Sequence, residues 1–352
     1  MERPGFLRLV RADDWWLYHL LPLLAAAYAA IAYYAVPPGL ALPALLRLLL
    51  SIVCIAAYSH VVNDIADADQ DAEAGKSNRW RTVPPWQKAA LSLTLLLCGF
   101  AVWVGADLSV RSLVLLAGIA GLQPLYALHP VRLKERGAWG LIADALHTHA
   151  LPTLYCIALF ADLAGASVWR PFPLAATAWA FFVGMRGILY HQRTDEANDR
   201  RAGVRTFVTT HGSDRAAVIA RRLVLPTELV SLGLLGVTLF PVAPVVVAAL
   251  VVYGGLIQLL RWAGIEQGSL ADPAPAERGA YVPLLAFYRS WPGVAFALLL
   301  AWRDPAFLVV LLLHAVVFAP LLLREAGDLW DLLWWYGRAP FLVARRVARG
   351  RG

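Results

Sequence analysis

The chain is written mostly in apolar runs about 20 residues long, and this limits what it can fold into. A run of that length crosses the ~30 Å hydrocarbon layer as a helix. Within lipid the backbone must satisfy its own hydrogen bonds, which a helix does and an open sheet edge does not. Runs at 17–36, 39–62, 86–106, 109–127, 141–162, 172–190, 223–240, 241–262, 281–302 and 305–323 predict an all-α polytopic membrane protein with nine or ten transmembrane segments. A very tight turn joins the pair 223–240 and 241–262. The run 281–302 contains Pro292 and is open to a broken or re-entrant reading.

Basic residues orient these spans. With the N-terminus in the cytoplasm, 25 of the 31 Lys and Arg fall at cytoplasmic ends and loops. Arg111, Arg170 and Arg303 fall outside, and Arg47, Arg186 and Arg289 within spans. Such a bias follows the positive-inside rule. Ten spans put the tail with Arg345, Arg346, Arg349 and Arg351 in the cytoplasm; nine would put it outside. Basic loops against an anionic leaflet account for the net charge of +7. No aromatic-basic interleaving suggests a nucleic-acid partner. Cys54, Cys98 and Cys156 lie in apolar runs without metal-ligand spacing and read as packing residues, not a disulfide framework.

The expected organisation is one membrane domain over 1–323, opened by an interfacial helix, and a basic amphipathic tail over 324–352. Phe6, Leu7, Val10, Trp15 and Trp16 carry the first interfacial stretch, and Trp330, Leu333, Trp334 and Phe341 the second. Trp302, Trp334 and Trp335 read as interface anchors. No cleavable signal is read before the first span.

Asn63-Asp64-Ile65-Ala66-Asp67-Ala68-Asp69-Gln70-Asp71 ends the second apolar run. Carboxylates beside a membrane span are costly and point to function. Asp64, Asp67 and Asp71 stand at i, i+3 and i+7, so a continuing helix turns all three to one side. Three like charges on one face need a cation between them. Mg²⁺ suits carboxylate oxygens and takes further ligands from water and substrate phosphates. His191, Asp195 and Asp199 repeat the pattern at i, i+4 and i+8 where the sixth run ends. Four spans lead from one cluster to the next, so both face the same compartment. Together they predict a shared metal–diphosphate site at a membrane surface.

Here the chain resembles the UbiA-type intramembrane prenyltransferase superfamily. Asn63-Asp64-x-x-Asp67-x-x-x-Asp71 matches its first Asp-rich motif, with Lys76 and Arg79 where the family carries basic residues. Asp195-x-x-x-Asp199-x-x-x-Gly203-x-x-Thr206 is similar to the second motif and the turn after it. Tyr126, Arg132 and Lys134, within Leu125 to Gly137, resemble the Tyr- and Lys-bearing loop after the fourth helix. The resemblance covers roughly residues 10–300. It implies a helical bundle around a central cavity, with both Asp motifs at the cytoplasmic mouth. Asp64, Asp67, Asp71, Asp195 and Asp199 would hold Mg²⁺, two ions bridging to a polyprenyl diphosphate. Asn63, Lys76, Arg79, Tyr126, Arg132 and Lys134 would bind substrate, and Asp64, Asp67 and Asp195 would serve catalysis; His191, a departure from the family pattern, is this chain's own further catalytic candidate.

The implied reaction is transfer of a prenyl group to a lipophilic or aromatic acceptor within the membrane. Neutralised diphosphate leaves readily, and the allylic cation left behind needs an aromatic, water-free pocket. A membrane terpene cyclase, a transferase using a phosphorylated sugar donor and an ion-coupled transporter are the alternatives. His191 stands where the family's second motif opens with an acidic residue. It could replace an outer metal contact, move a proton to or from the acceptor, or mark a different leaving group. Arg186, buried in the sixth run, could bind the diphosphate or a polar acceptor. Asp144 and His147 share a face of the fifth run near His149, as polar glue between helices or as acceptor contacts. His60 faces the side of Asp64.

Overall fold

The computed structural model describes residues 10, 19–73, 75, 78–106, 108–262, 290–324, 326, 327, 330 and 334. Most of the two expected interfacial stretches, together with Lys76, Trp335 and residues 281–289 of the ninth run, lie outside the described residues. Helix accounts for most of the rest, and no strand occurs among the described residues. The helices are α1 Leu20–Tyr34, α2 Pro38–Glu73, α3 Pro85–Ala101, α4 Val110–Ala127, α5 Ala138–Asp144, α6 Leu151–Leu163 and α7 Pro171–Arg201. They continue as α8 Phe207–His211, α9 Ser213–Ile219, α10 Leu225–Leu239, α11 Pro244–Trp262, α12 Trp291–Arg303 and α13 Leu308–Val317.

Several boundaries follow local chemistry. Proline opens α2, α3 and α7, where its missing N–H costs nothing. Ser109 caps α4 by accepting from Ser112 N at 3.1 Å. Two π turns, Ala145–Ala150 and Ala220–Val224, join α5 to α6 and α9 to α10 as continuous rods. The fifth and seventh helical rods therefore start earlier than the apolar runs suggest. Arg221 and Arg222 interrupt the apolar pattern at 223, yet both are exposed, so the helix runs through them from Ser213.

Helices α2, α4, α7 and the rod Ser213–Leu239 are long and apolar enough to span a membrane. Their outer faces carry exposed Leu113, Val114, Leu229, Val230, Leu234 and Val237. Water-soluble monomers do not leave so much apolar surface bare, so the belt is lipid-facing. The chain is an integral membrane protein. Inside, α1 is the most enclosed helix, with Ala27, Ala29, Ala30 and Ala32 buried against α6 and α12. Such small residues let helix backbones approach closely. The same device joins α2 to α3: Ser51 Oγ donates to Gly99 O at 2.7 Å, and a Cβ at Gly99 would stand 2.7 Å from Ile55. At the far end of the bundle Asp162 accepts from Ser109, Ser112 and Arg111, clasping α4 to α6.

Candidate active site at the helix ends

Helix α2 outruns its apolar stretch and stays helical to Glu73, so Asp64, Asp67 and Asp71 share a helix as the spacing requires. Asp67 is the hub. Its Oδ1 accepts from Arg132 at 3.0 Å and from Lys134, and its Oδ2 accepts from Asn63 Nδ2 at 3.1 Å. Lys134 also reaches Asn63 Oδ1 at 3.3 Å. Arg132 is only 4 % exposed, bonded as well to Glu135 at 2.6 Å, to Gln70 and to Ala127 O at 2.9 Å. Side chains thus supply much of the charge compensation that three aligned carboxylates demand. Burial lowers the Lys134 ammonium below the usual lysine range, against the opposing pull of Asp67. Burial acts to raise the Glu135 carboxyl, but hydrogen bonds from Gln70 and Arg132 more than offset it and hold it below the usual range.

Asn78 ties the next loop to the same helix. Its Nδ2 donates to Asp71 Oδ2 at 2.7 Å and to Asp64 O at 2.8 Å, while its Oδ1 caps the turn Arg79–Thr82 through Trp80 N. Arg79 therefore starts a turn anchored to the acidic helix.

Helix α7 likewise continues past its apolar run to Arg201, carrying His191, Asp195 and Asp199 together. His191 is 69 % exposed, with Nε2 3.8 Å from Asp195 Oδ2. Gly203 has φ +68°, which suits the turn away from α7. Thr206 then caps α8, accepting from Thr209 N at 3.2 Å. The loop with Lys134 links both acidic helices: Lys134 touches Asp67, and α5, which follows directly, packs on α7 and α8.

That close approach depends on Gly140. A Cβ there would stand 2.9 Å from both Leu133 O and Lys134 O. Backbone cannot yield as a side-chain tip can, so Gly140→Ala shifts the turn that aims Lys134. We expect a loss of about 1–3 kcal/mol of stability, read by thermal unfolding in detergent.

Deeper in the bundle lies a layer of polar groups. Arg186 forms a two-pronged ion pair with Glu228 of α10, Nε to Oε2 at 2.6 Å and Nη2 to Oε1 at 3.0 Å. Glu228 is 0 % exposed. Arg186 lies nine residues before Asp195, about 14 Å along the helix, and its guanidinium is charge-matched within the protein. Asp144 lies beside Tyr126, and the Tyr126 ring lies 5.0 Å from that of His147. Beyond this layer lies an apolar cavity, partly open to the surroundings. Ala25, Ala29, Ile157, Trp179, Leu235 and Phe296 are among its walls, drawn from α1, α6, α7, α10 and α12.

Among the described residues no three His, Cys, Asp or Glu side chains converge to hold a metal. Oxygen-only, partly exposed carboxylates still fit Mg²⁺, which typically takes one or two protein carboxylates and completes its shell with water and phosphate. Gln70, Asn78, Glu135 and Glu228 are site residues that sequence reasoning passed over. Gln70 sat inside the first motif, and Asn78 could have been read as a cap; the other two carried no local signal.

The fold and the site define a helical membrane protein with two acidic helix ends and an apolar cavity partly open to the surroundings. The UbiA prenyltransferase family model matches residues 20–276, and the chain belongs to that family. It is a prenyltransferase of the UbiA fold. It is 28% identical over 220 residues to a lycopene elongase/hydratase of Halobacterium salinarum, covering 60% of this chain and 73% of that protein. Among solved structures, a UbiA homologue from Archaeoglobus fulgidus bound to DMAPP and Mg²⁺ matches with TM-score 0.57 and 16% identity, over 84% of this chain and 98% of that one. The same homologue bound to GPP and Mg²⁺ gives 0.57, and bound to Cd²⁺ 0.56.

Proposed function

We propose that this protein transfers a prenyl group from an allylic prenyl diphosphate to an acyclic, polyene-like hydrocarbon acceptor dissolved in the membrane. The observation that carries this reading is the pairing of Asp67, under Lys134 and Arg132, with an apolar cavity deeper in the same bundle. The rim suits a diphosphate and the cavity a hydrocarbon chain. Among the cavity walls only Thr153 and Trp179 bear side-chain polar atoms, which suits a hydrocarbon better than a phenolic acid. The name of the Halobacterium relative points to the same acceptor class.

Asp64, Asp67 and Asp71 of α2 with Asp195 and Asp199 of α7 would hold Mg²⁺, as two ions. When bound, Mg²⁺ supplies positive charge to the leaving diphosphate. Lys134 and Arg132 add fixed positive charge on the same side, and Lys76 and Arg79, which follow the first motif in the sequence, are further candidates for that role. Asn63 holds Asp67 in its orientation. Arg186 serves as a strut, since a guanidinium matched by Glu228 adds no net charge at the rim. The cavity walls exclude water from the cation left at C1. The mouth and both termini face the cytoplasm, following the basic loops.

Proteoliposomes given radiolabelled dimethylallyl or geranyl diphosphate, with lycopene or with a phenolic acid, test this. Label is expected in the polyene. Label only in the phenolic acid, or in neither, contradicts the acceptor assignment.

A further inference from the structure

Prenyl addition to a carbon–carbon double bond leaves a cation on the acceptor, and some group must take a proton from it. We propose that His147 is that base, with Tyr126 and Asp144 as the residues that position it. The inference rests on the hydrocarbon-acceptor reading above.

The first argument is location. Thirteen residues before His147 on the chain, Lys134 touches Asp67 at the rim; six and ten residues after it, Thr153 and Ile157 line the apolar cavity. His147 therefore lies on a rod that runs from the diphosphate end to the hydrocarbon end, at the level between them. Donor C1 must meet the acceptor there. His191 lies elsewhere, 69 % exposed at the mouth, where water competes for any cation.

The second argument is local build. The π turn Ala145–Ala150 inserts an extra residue into the rod, a distortion that proteins retain at functional sites. It is packed on α7 through Gly184, where a Cβ would stand 2.7 Å from the His149 ring and 3.0 Å from Ala145 Cα. The His149 ring in turn lies 5.5 Å from that of His19 on the approach to α1. The turn is thus clamped, and His147 on it is buried.

The third argument is the tautomer. His147 Nδ1 lies 2.8 Å from Ala143 O. A carbonyl only accepts, so in the neutral ring the proton sits on Nδ1 and the lone pair on Nε2. The Thr148 hydroxyl, 3.3 Å away, can donate to that lone pair and hold the ring in place. The Tyr126 ring flanks the imidazole at 5.0 Å, with Asp144 beside Tyr126.

The balance is complete. The C1–O bond breaks and its electron pair leaves with the diphosphate. The acceptor π pair forms the new carbon–carbon bond. A neighbouring C–H then breaks, its pair closes a new double bond, and the proton moves to His147 Nε2.

The test compares wild type, His147→Gln and His147→Ala in proteoliposomes, with dimethylallyl diphosphate and either lycopene or a total membrane lipid extract. Binding of the unreactive probe geranyl thiolodiphosphate with Mg²⁺ is measured alongside. Glutamine keeps a donor for Ala143 O but cannot take the proton. Turnover of His147→Gln is expected to fall about a hundredfold, with probe affinity within threefold of wild type. His147→Ala should regain turnover when imidazole is added. Turnover of His147→Gln within threefold of wild type, joint loss of turnover and probe binding, or no response of His147→Ala to imidazole overturns the proposal. Product from the extract but not from lycopene sinks the polyene reading alone, and His147 is then judged on the extract product.

Discussion

Asp67→Asn lowers Mg²⁺-dependent prenyl transfer at least about a hundredfold, the scale seen when one group that stabilises transition-state charge is removed, while the chain stays folded. Asp67 is the point where the first acidic motif meets the basic loop, bonded to Asn63, Arg132 and Lys134. Asparagine keeps the size and one oxygen but loses the charge that Arg132 and Lys134 share and that a metal ion would share under the proposed function. The structural cost is small because Arg132 retains Glu135, Gln70 and Ala127 O. A loss of about 1–3 kcal/mol is expected, in keeping with one hydrogen-bonded charge removed. Turnover and the detergent melting curve separate the two effects. A variant that loses activity only because it unfolds would show both changes together.

Glu228→Gln has the opposite profile, with a large effect on stability. The pair with Arg186 holds α7 to α10 in the interior, where Glu228 is fully buried. Removing one partner strands a buried charge, which costs about 3–5 kcal/mol. Replacing both, as in Arg186→Met with Glu228→Leu, removes the stranded charge along with the bridge. That double variant should recover most of the loss, since apolar replacements of buried pairs are often neutral. Thermal unfolding of Arg186→Met, Glu228→Leu and the double variant gives the coupling directly. A double variant less stable than either single would show that the pair does more than match charge.

Much of this architecture is legible in the chain. The apolar run lengths give α2, α4 and α7, and the acidic spacing gives the shared helix faces, because both depend on local periodicity. Lys134 and Arg132 were assigned to the site from the loop that carries them, and they meet Asp67. The interior polar layer is less legible. Glu228 lies 42 residues from Arg186, and nothing near either residue announces the other. The π turn at Ala145–Ala150 also has no sequence signature; it is held by Gly184 of α7, a tertiary contact. Arg221 and Arg222 mislead an apolar-run reading because a helix tolerates charge on its exposed face. Arg186 shows the remaining limit: nothing in the sequence announces that its guanidinium pairs with Glu228.

The most direct test of the central claim is pyrophosphate release from geranyl diphosphate by the purified protein, measured with and without Mg²⁺ and with and without acceptor, beside Asp67→Asn. The account predicts release that needs Mg²⁺, rises with acceptor and is nearly abolished in Asp67→Asn. Release that is indifferent to Mg²⁺, or undiminished in Asp67→Asn, would contradict a metal–diphosphate site at these helix ends.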